Sequence, residues 1–137
     1  MTKTLTTDVL IIGAGPAGTM AAAFLAQQGV SALIIEKTHF PRFVIGESLL
    51  AQSMDLLEKA RLYKAVKNAR FQFKDGAAFS HQDRRSEIRF SEKTTAGHGT
   101  TFQVERARFD KILTDEVQKM GVDIRFGHSV DAVELHS

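Results

Sequence analysis

A glycine-rich turn between an apolar strand and an uncharged helix most constrains what this chain can fold into. Residues 13–18 read GAGPAG, which matches the pattern G-x-G-x-x-G. The apolar run over residues 8–12 predicts a strand before this turn, and residues 16–28 predict a helix after it. A second buried strand is predicted over residues 31–36. Strand, helix and strand within about 30 residues indicate a right-handed βαβ unit.

Each glycine of the turn has a predicted role in holding a diphosphate. Gly13 makes the tight turn, Gly15 lets the backbone approach a pyrophosphate, and Gly18 lets helix and strand pack closely. The free N–H groups and the positive dipole end of the following helix attract phosphates, and no acidic residue of its first turn competes for them. Pro16 and Ala17 complete the predicted cofactor-binding residues of the turn.

A carboxylate at the end of the second strand narrows the class of nucleotide. Glu36 lies eighteen residues after Gly18, where its side chain can accept both hydroxyls of an adenosine ribose. The same charge repels a 2′-phosphate, so FAD or NAD is expected here and NADP is not. The alternative interpretation is a solvated glutamate at a strand end.

The remainder of the chain alternates helical and strand-like patterns. Helical patterning resumes at about Leu49, and a long amphipathic helix is predicted over residues 106–120. Short alternating runs are predicted as strands at residues 71–74, 77–80, 87–91, 101–105, 122–126 and 130–135. The first four of them are spaced like an antiparallel meander.

Composition excludes several classes of function. The 137 residues carry a formal net charge of +2 and no cysteine, which excludes disulfides and thiol chemistry. No Lys/Arg block exceeds the pair at 84–85, so nucleic-acid binding has little support. The uncharged run over residues 9–35 is interrupted by Gly and Pro and predicts no membrane span, and we expect a cytoplasmic protein. The five histidines are dispersed, so no metal site is predicted.

Four segments together resemble a known family. They are DVLIIGAGPAG at residues 8–18, EK at 36–37, PRFVIGESLL at 41–50 and RARFD at 106–110. They are similar to the FAD-dependent tryptophan-halogenase and geranylgeranyl-reductase-like family, within the flavoprotein monooxygenases of the p-hydroxybenzoate hydroxylase type. The resemblance covers essentially the whole chain, in the family's order, and adds Lys37 to the predicted cofactor-binding residues.

This resemblance implies a fold and a domain assignment. The expected fold is α/β, a Rossmann-type parallel sheet with a βαβ FAD-binding unit plus a small antiparallel β meander. Residues 1–137 would form the FAD-binding domain, as the N-terminal portion of a longer flavoprotein.

The PRFVIGESLL segment is expected beside the flavin by the same resemblance. Its predicted cofactor-binding residues are Arg42, Gly46, Glu47 and Ser48. An ordinary helix entry is the alternative interpretation, with Ser48 as the N-cap and Glu47 as a first-turn acid that the helix dipole favours.

Arg106 is predicted to meet an anion, because a cation in the first turn of a helix opposes the helix dipole. By resemblance, that anion is the FAD diphosphate. The alternative is a surface pair with Glu105 or Asp110, and for Arg108 a surface role is favoured. The resemblance further implies that Val130 offers backbone groups to the adenine.

The resemblance implies an FAD-dependent oxidoreductase, monooxygenase- or halogenase-like, that uses reduced flavin on a small organic substrate. NADH or NADPH would supply the electrons, directly or through a partner flavin reductase. The family's second flavin fingerprint, its substrate domain and its catalytic lysine have no counterpart here, so no catalytic residue is assigned. Hydroxylation, halogenation and ene-reduction of the geranylgeranyl-reductase type therefore stay open. So do a truncated nucleotide-binding module without its own turnover and an NAD-dependent dehydrogenase.

Overall fold

The computed structural model describes residues 4–136 and confirms the predicted α/β class. The strands are β1 (Val9–Ile12), β2 (Ala32–Glu36), β3 (Gln72–Lys74), β4 (Gly76–His81), β5 (Arg84–Arg89), β6 (Thr101–Gln103) and β7 (Asp123–Phe126). The α-helices are α1 (Pro16–Gln27), α2 (Ala51–Lys59), α3 (Tyr63–Asn68) and α4 (Arg106–Lys119). The described residues form two compact units, one of residues 4–43 and 107–136 and one of residues 44–106.

A parallel sheet of three strands, in the order β1-β2-β7, organises the first unit. Val9 to Ile12 of β1 pair in register with residues 32–35 of β2, and Leu33 to Glu36 of β2 pair with residues 123–126 of β7. Because all three strands run the same way, their carboxyl ends meet at one edge of the sheet. Ligands bind at this edge in open α/β sheets, and the glycine-rich turn follows β1 there.

Small and apolar side chains fill the core of the first unit. Helix α1 buries Thr19, Ala22 and Ala23, small residues that let a helix approach a sheet closely. Helix α4 buries Phe109, Leu113 and Val117, which follow each other at four-residue spacing on one face. The central strand β2 is buried from Ala32 to Ile34. These contacts make the βαβ unit and confirm the predicted strand–helix–strand order.

The second unit packs two helices and two small antiparallel sheets. Its core contains Met54 and Leu57 of α2, Val66 of α3, and the neighbouring Leu62 and Val104. Strand β3 pairs with β6, and β4 pairs with β5 in a hairpin whose strands are largely exposed. The predicted antiparallel strands are present, but they form two separate two-stranded sheets and not one meander. The reason is that β3 pairs with β6 and not with the neighbouring strand β4.

One predicted strand is wrong. Residues 130–135 are irregular in the structure, and residues 131–136 are exposed. A segment with an alternating pattern forms a stable strand only where it pairs with another strand and buries its apolar face. Within residues 4–136, no strand pairs with this segment.

None of the helices in the described part of the chain is both long enough and apolar enough to cross a lipid bilayer.

Replacement of Gly18 by alanine should destabilise the first unit. A Cβ at Gly18 would overlap the carbonyl oxygen of Gly13 and would lie 3.2 Å from the Ile11 side chain, so helix and strand would have to separate. We expect a loss of about 1–3 kcal/mol in the free energy of unfolding, measured by urea denaturation.

Gly15→Ala is the matched control for this measurement. The nearest atom to a Cβ at Gly15 is 3.9 Å away, so its free energy of unfolding should stay within about 0.5 kcal/mol of the wild type. Equal effects of the two substitutions would contradict the packing role of Gly18.

Candidate nucleotide-binding site

The glycine-rich turn places the start of α1, which has no side-chain cap, at the carboxyl edge of the parallel sheet. Gly13 adopts a φ of +101°, a conformation that favours glycine, and its N–H donates to the Ile35 carbonyl at 2.8 Å. Gly15 is the N-cap of α1 and makes no side-chain capping bond, and Pro16 takes the first helical position. The first turn of α1 contains no acidic residue, so no carboxylate of this helix start competes with an anion.

The space outside Gly15 is open, as a diphosphate site requires. A Cβ at Gly15 would have no neighbour closer than 3.9 Å, and that neighbour is the Nη2 atom of Arg42. A phosphate that approaches this glycine would therefore meet backbone N–H groups on one side and a guanidinium on the other. This geometry fits the diphosphate of a dinucleotide cofactor.

Glu36 joins three segments at this edge, two through its carboxylate and one through its main-chain carbonyl. The residue is only 4 % exposed. Its Oε2 accepts the Ala14 N–H of the glycine-rich turn at 2.9 Å, and its Oε1 accepts the N–H and the hydroxyl of Thr38 at 2.9 and 2.7 Å. Its main-chain carbonyl accepts the His128 N–H, which follows β7, at 3.1 Å. The alternative of a solvated glutamate at the strand end is therefore wrong.

The environment of Glu36 favours its ionised form. Burial acts to raise the pKa of this carboxyl. Hydrogen bonds from the Thr38 side chain, from the Ala14 N–H and from the Thr38 N–H, together with the Arg42 charge, outweigh burial and hold the pKa below its ordinary value. A negative charge at this position at neutral pH is what a ribose diol would need as an acceptor.

Arg42 bridges two buried carboxylates in the first unit. Its Nη1 lies 3.3 Å from Oδ2 of Asp110, whose side chain has no exposed surface, and its Nη2 lies 3.9 Å from Oε2 of Glu36. The guanidinium stacks 4.5 Å from the centre of the Phe40 ring, and Phe40 in turn contacts Phe126. The alternative of a surface pair between Arg106 and Asp110 assumed an exposed Asp110, which is wrong. Asp110 is buried and forms the ion pair that holds Arg42 beside Gly15.

The predicted flavin-binding residues of the second unit lie on a segment paired with β6. The Glu47 carbonyl accepts the Val104 N–H at 2.8 Å, and Ser48 forms an isolated bridge with Gln103. The Ser48 hydroxyl also contacts the Lys74 ammonium. Helix α2 starts at Ala51 with Leu50 as its N-cap. The interpretation of Ser48 as a helix cap, with Glu47 in the first turn, is therefore wrong.

Arg106 begins α4, as predicted, and its side chain extends to the Gly46 segment. Its Nη1 donates to the carbonyl oxygens of Ile45 and Gly46, both at 3.3 Å. Gly46 has a φ of +104°, and a Cβ there would lie 3.4 Å from the same Nη1. The structure thus unites Gly46 and Arg106 within the second unit.

Two further predicted cofactor-binding residues follow strands β2 and β7. Lys37 is exposed after β2, and Val130 lies half-buried in the irregular segment that follows β7. Their contacts with a cofactor stay predictions. Within residues 4–136, no cluster of three or more His, Asp or Glu side chains could hold a metal ion.

Sequence reasoning missed Thr38, Asp110 and Phe40. A signal for Asp110 was present, because it precedes Leu113 and Val117 by three and seven residues and so lies on the buried face of α4. Thr38 could have been found from its place two residues after a strand-end carboxylate, since threonine there bonds locally. Phe40 carries no comparable signal.

Comparison with known proteins gives a consistent result. The family model described as "FAD binding domain" matches residues 6–137. A flavin-dependent halogenase of Armillaria mellea, armH3, is 37 % identical over 133 residues, which are 96 % of this chain and 26 % of that protein.

Solved structures agree in fold with this chain. A flavoprotein/dehydrogenase from Cytophaga hutchinsonii has a TM-score of 0.90 at 44 % identity, over 94 % of this chain and 32 % of that one. The myxobacterial chondrochloren halogenase CndH, an FAD-dependent halogenase, has a TM-score of 0.86 at 34 % identity, over 95 % and 30 %. The chain therefore spans about a quarter to a third of the length of these relatives.

The Glu36 contacts predict a pH-dependent contribution to stability. Because the folded-state pKa is lowered from the ordinary value of 4.5, this contribution is fully present above that value and is lost as the pH falls through the folded pKa. Glu36→Gln should lower the free energy of unfolding at pH 7 by about 1–3 kcal/mol, since its amide faces donors. In urea titrations, the difference between wild type and variant should shrink below about pH 4, and a difference constant from pH 7 to 3 would contradict this role.

Proposed function

The chain belongs to the FAD binding domain family, and on this premise we propose that its first unit binds the adenosine diphosphate half of FAD. The observation that carries the proposal is the start of α1, where backbone donors face open space with no side-chain cap and no first-turn acid. Gly15, Ala17 and Gly18 would hold the diphosphate there, through main-chain N–H groups and the helix dipole, and Pro16, which has no N–H, would fix the first turn of α1 beside it.

The charged groups around the turn support the same orientation of the nucleotide. Arg42 is fixed beside Gly15 by Asp110 and Phe40, so it would add a positive charge next to the diphosphate without first having to be ordered. Glu36 would accept ribose hydroxyls, and its negative charge would repel a nucleotide that carries a 2′-phosphate.

The residues of the second unit enter the proposal through the family resemblance. Gly46, Glu47, Ser48 and Arg106 would contact the flavin half of the cofactor, with Arg106 on an anionic group. Lys37 and the backbone at Val130 would complete the set. When bound, FAD supplies the redox chemistry, as a reduced flavin that reacts with O₂ or delivers hydride. The residues of this chain bind and orient it.

We further propose that the whole protein is an FAD-dependent oxidoreductase of the halogenase-like monooxygenase type. The support is the halogenase names of two similar proteins, armH3 and CndH, across nearly the full length of this chain. The substrate would be a small organic molecule. NADH or NADPH would reduce the flavin, directly or through a partner flavin reductase, and the protein would act in the cytoplasm.

Gly15→Val should weaken ADP and FAD binding at least about tenfold, because the side chain would fill the space of the diphosphate. Binding is measured by calorimetry for ADP and by flavin fluorescence for FAD. Ala78→Val, which places the same valine side chain on the exposed hairpin, is the control and should bind as the wild type does. Unchanged affinity of the Gly15 variant, with its fold intact by circular dichroism, would contradict the proposed site.

Arg106→Ala should weaken FAD binding more at low salt than at high salt, because the lost attraction is electrostatic and screened by ions. Arg108→Ala, two residues further along α4, is the matched control and should leave the affinity within about twofold. FAD affinity is measured at about 20 mM and at about 500 mM salt. An equal change of affinity in the two variants would mean that Arg106 has only a structural role, as a donor to the Gly46 carbonyl.

A further inference from the structure

The acceptor positions of the Glu36 carboxylate are nearly all taken by the chain itself. A carboxylate offers about four lone-pair positions. The Thr38 N–H and the Thr38 hydroxyl take those of Oε1, at 2.9 and 2.7 Å. The Ala14 N–H takes one of Oε2 at 2.9 Å, and Arg42 lies 3.9 Å from the same oxygen. A ribose diol, which brings two adjacent hydroxyl donors, would find at most one position ready for it.

Only one of these donors can leave without a change of the backbone. The Ala14 N–H belongs to the glycine-rich turn, which the Gly13–Ile35 bond fixes to β2. The Thr38 N–H is likewise a main-chain group. The Thr38 hydroxyl, in contrast, moves by rotation of a single side-chain torsion between staggered positions, and Thr38 is only half-buried.

We propose that the Thr38 hydroxyl occupies the position of a ribose hydroxyl on Glu36 and gives it up when an adenine nucleotide binds. This inference rests on the proposed function of the first unit. The exchange replaces one O–H donor by another, so the number of hydrogen bonds to Oε1 of the buried carboxylate does not change. Thr38 is thus a specificity-determining residue that lowers the gain from the ribose hydroxyls.

The exchange predicts a change in nucleotide selectivity, which a purely structural hydrogen bond from Thr38 to Glu36 would not predict. In the wild type, a nucleotide without ribose hydroxyls loses little, because Thr38 keeps its place on Oε1. In Thr38→Val, a methyl group replaces the hydroxyl and cannot stay at hydrogen-bond distance from Oε1, so a ribose hydroxyl would fill a position that the protein leaves unpaired. The variant should therefore discriminate more strongly between ADP and its 2′,3′-dideoxy analogue.

The test measures the affinity of ADP and of 2′,3′-dideoxy-ADP by calorimetry for the wild type, Thr38→Val and Thr38→Ser. We expect Thr38→Val to bind ADP about three- to tenfold more tightly than the wild type and to bind the dideoxy analogue with unchanged affinity. Thr38→Ser keeps the hydroxyl and should retain the wild-type ratio of the two affinities. Thermal unfolding of the three proteins without nucleotide verifies that each is folded.

The opposite outcomes separate this inference from the proposed function. If Thr38→Val binds ADP more weakly, with an unchanged ratio of affinities, the hydroxyl orients Glu36 and the exchange is wrong. The same holds if the serine variant behaves like the valine variant. If the folded wild type binds neither ADP nor FAD, the proposed function itself fails, and the exchange with it.

Discussion

The hydrogen bond from the Ala14 N–H to the Glu36 carboxylate is the interaction on which the rest of the site depends. It joins the glycine-rich turn after β1 to the end of β2, and the Glu36 main chain joins both to the segment after β7. Because the carboxylate is buried, it needs these donors to stay ionised, and because it is ionised, it favours the nearby Arg42 guanidinium. One residue thus joins these three segments, and its side chain places a negative charge at this edge of the sheet.

Local sequence patterns were sufficient for the elements that carry this edge. The apolar runs before and after α1 are continuous, which is typical of strands covered on both faces. This holds for β2, whereas β1 leaves Leu10 and Ile12 exposed. The glycines of GAGPAG allow the tight turn between β1 and α1. The structure has Pro16 at the first position of α1 and Glu36 at the end of β2, as the sequence predicted. Arg106 begins α4 for the same reason, since the apolar face of that helix repeats every four residues.

Contacts between distant residues could not be predicted in the same way. The ion pair of Arg42 with Asp110 joins residues far apart in the chain. Its one sequence signal is the position of Asp110 on the apolar face of α4. The pairing of β3 with β6 also depends on tertiary context, because short exposed strands carry little information on their partners. Residues 130–135 have an alternating pattern without a neighbouring strand among residues 4–136, so the pattern predicted more order than the structure has.

The central claim is that the amides at the start of α1 hold the diphosphate of an adenine nucleotide. An ADP titration followed by ¹⁵N–¹H correlation spectra of the uniformly labelled chain tests it most directly. The account predicts that the amide signals of Gly15, Ala17 and Gly18 shift most, with saturation at the calorimetric affinity, while those of the hairpin β4–β5 stay in place. Saturable shifts confined to other parts of the chain, with these three amides unmoved, would contradict it.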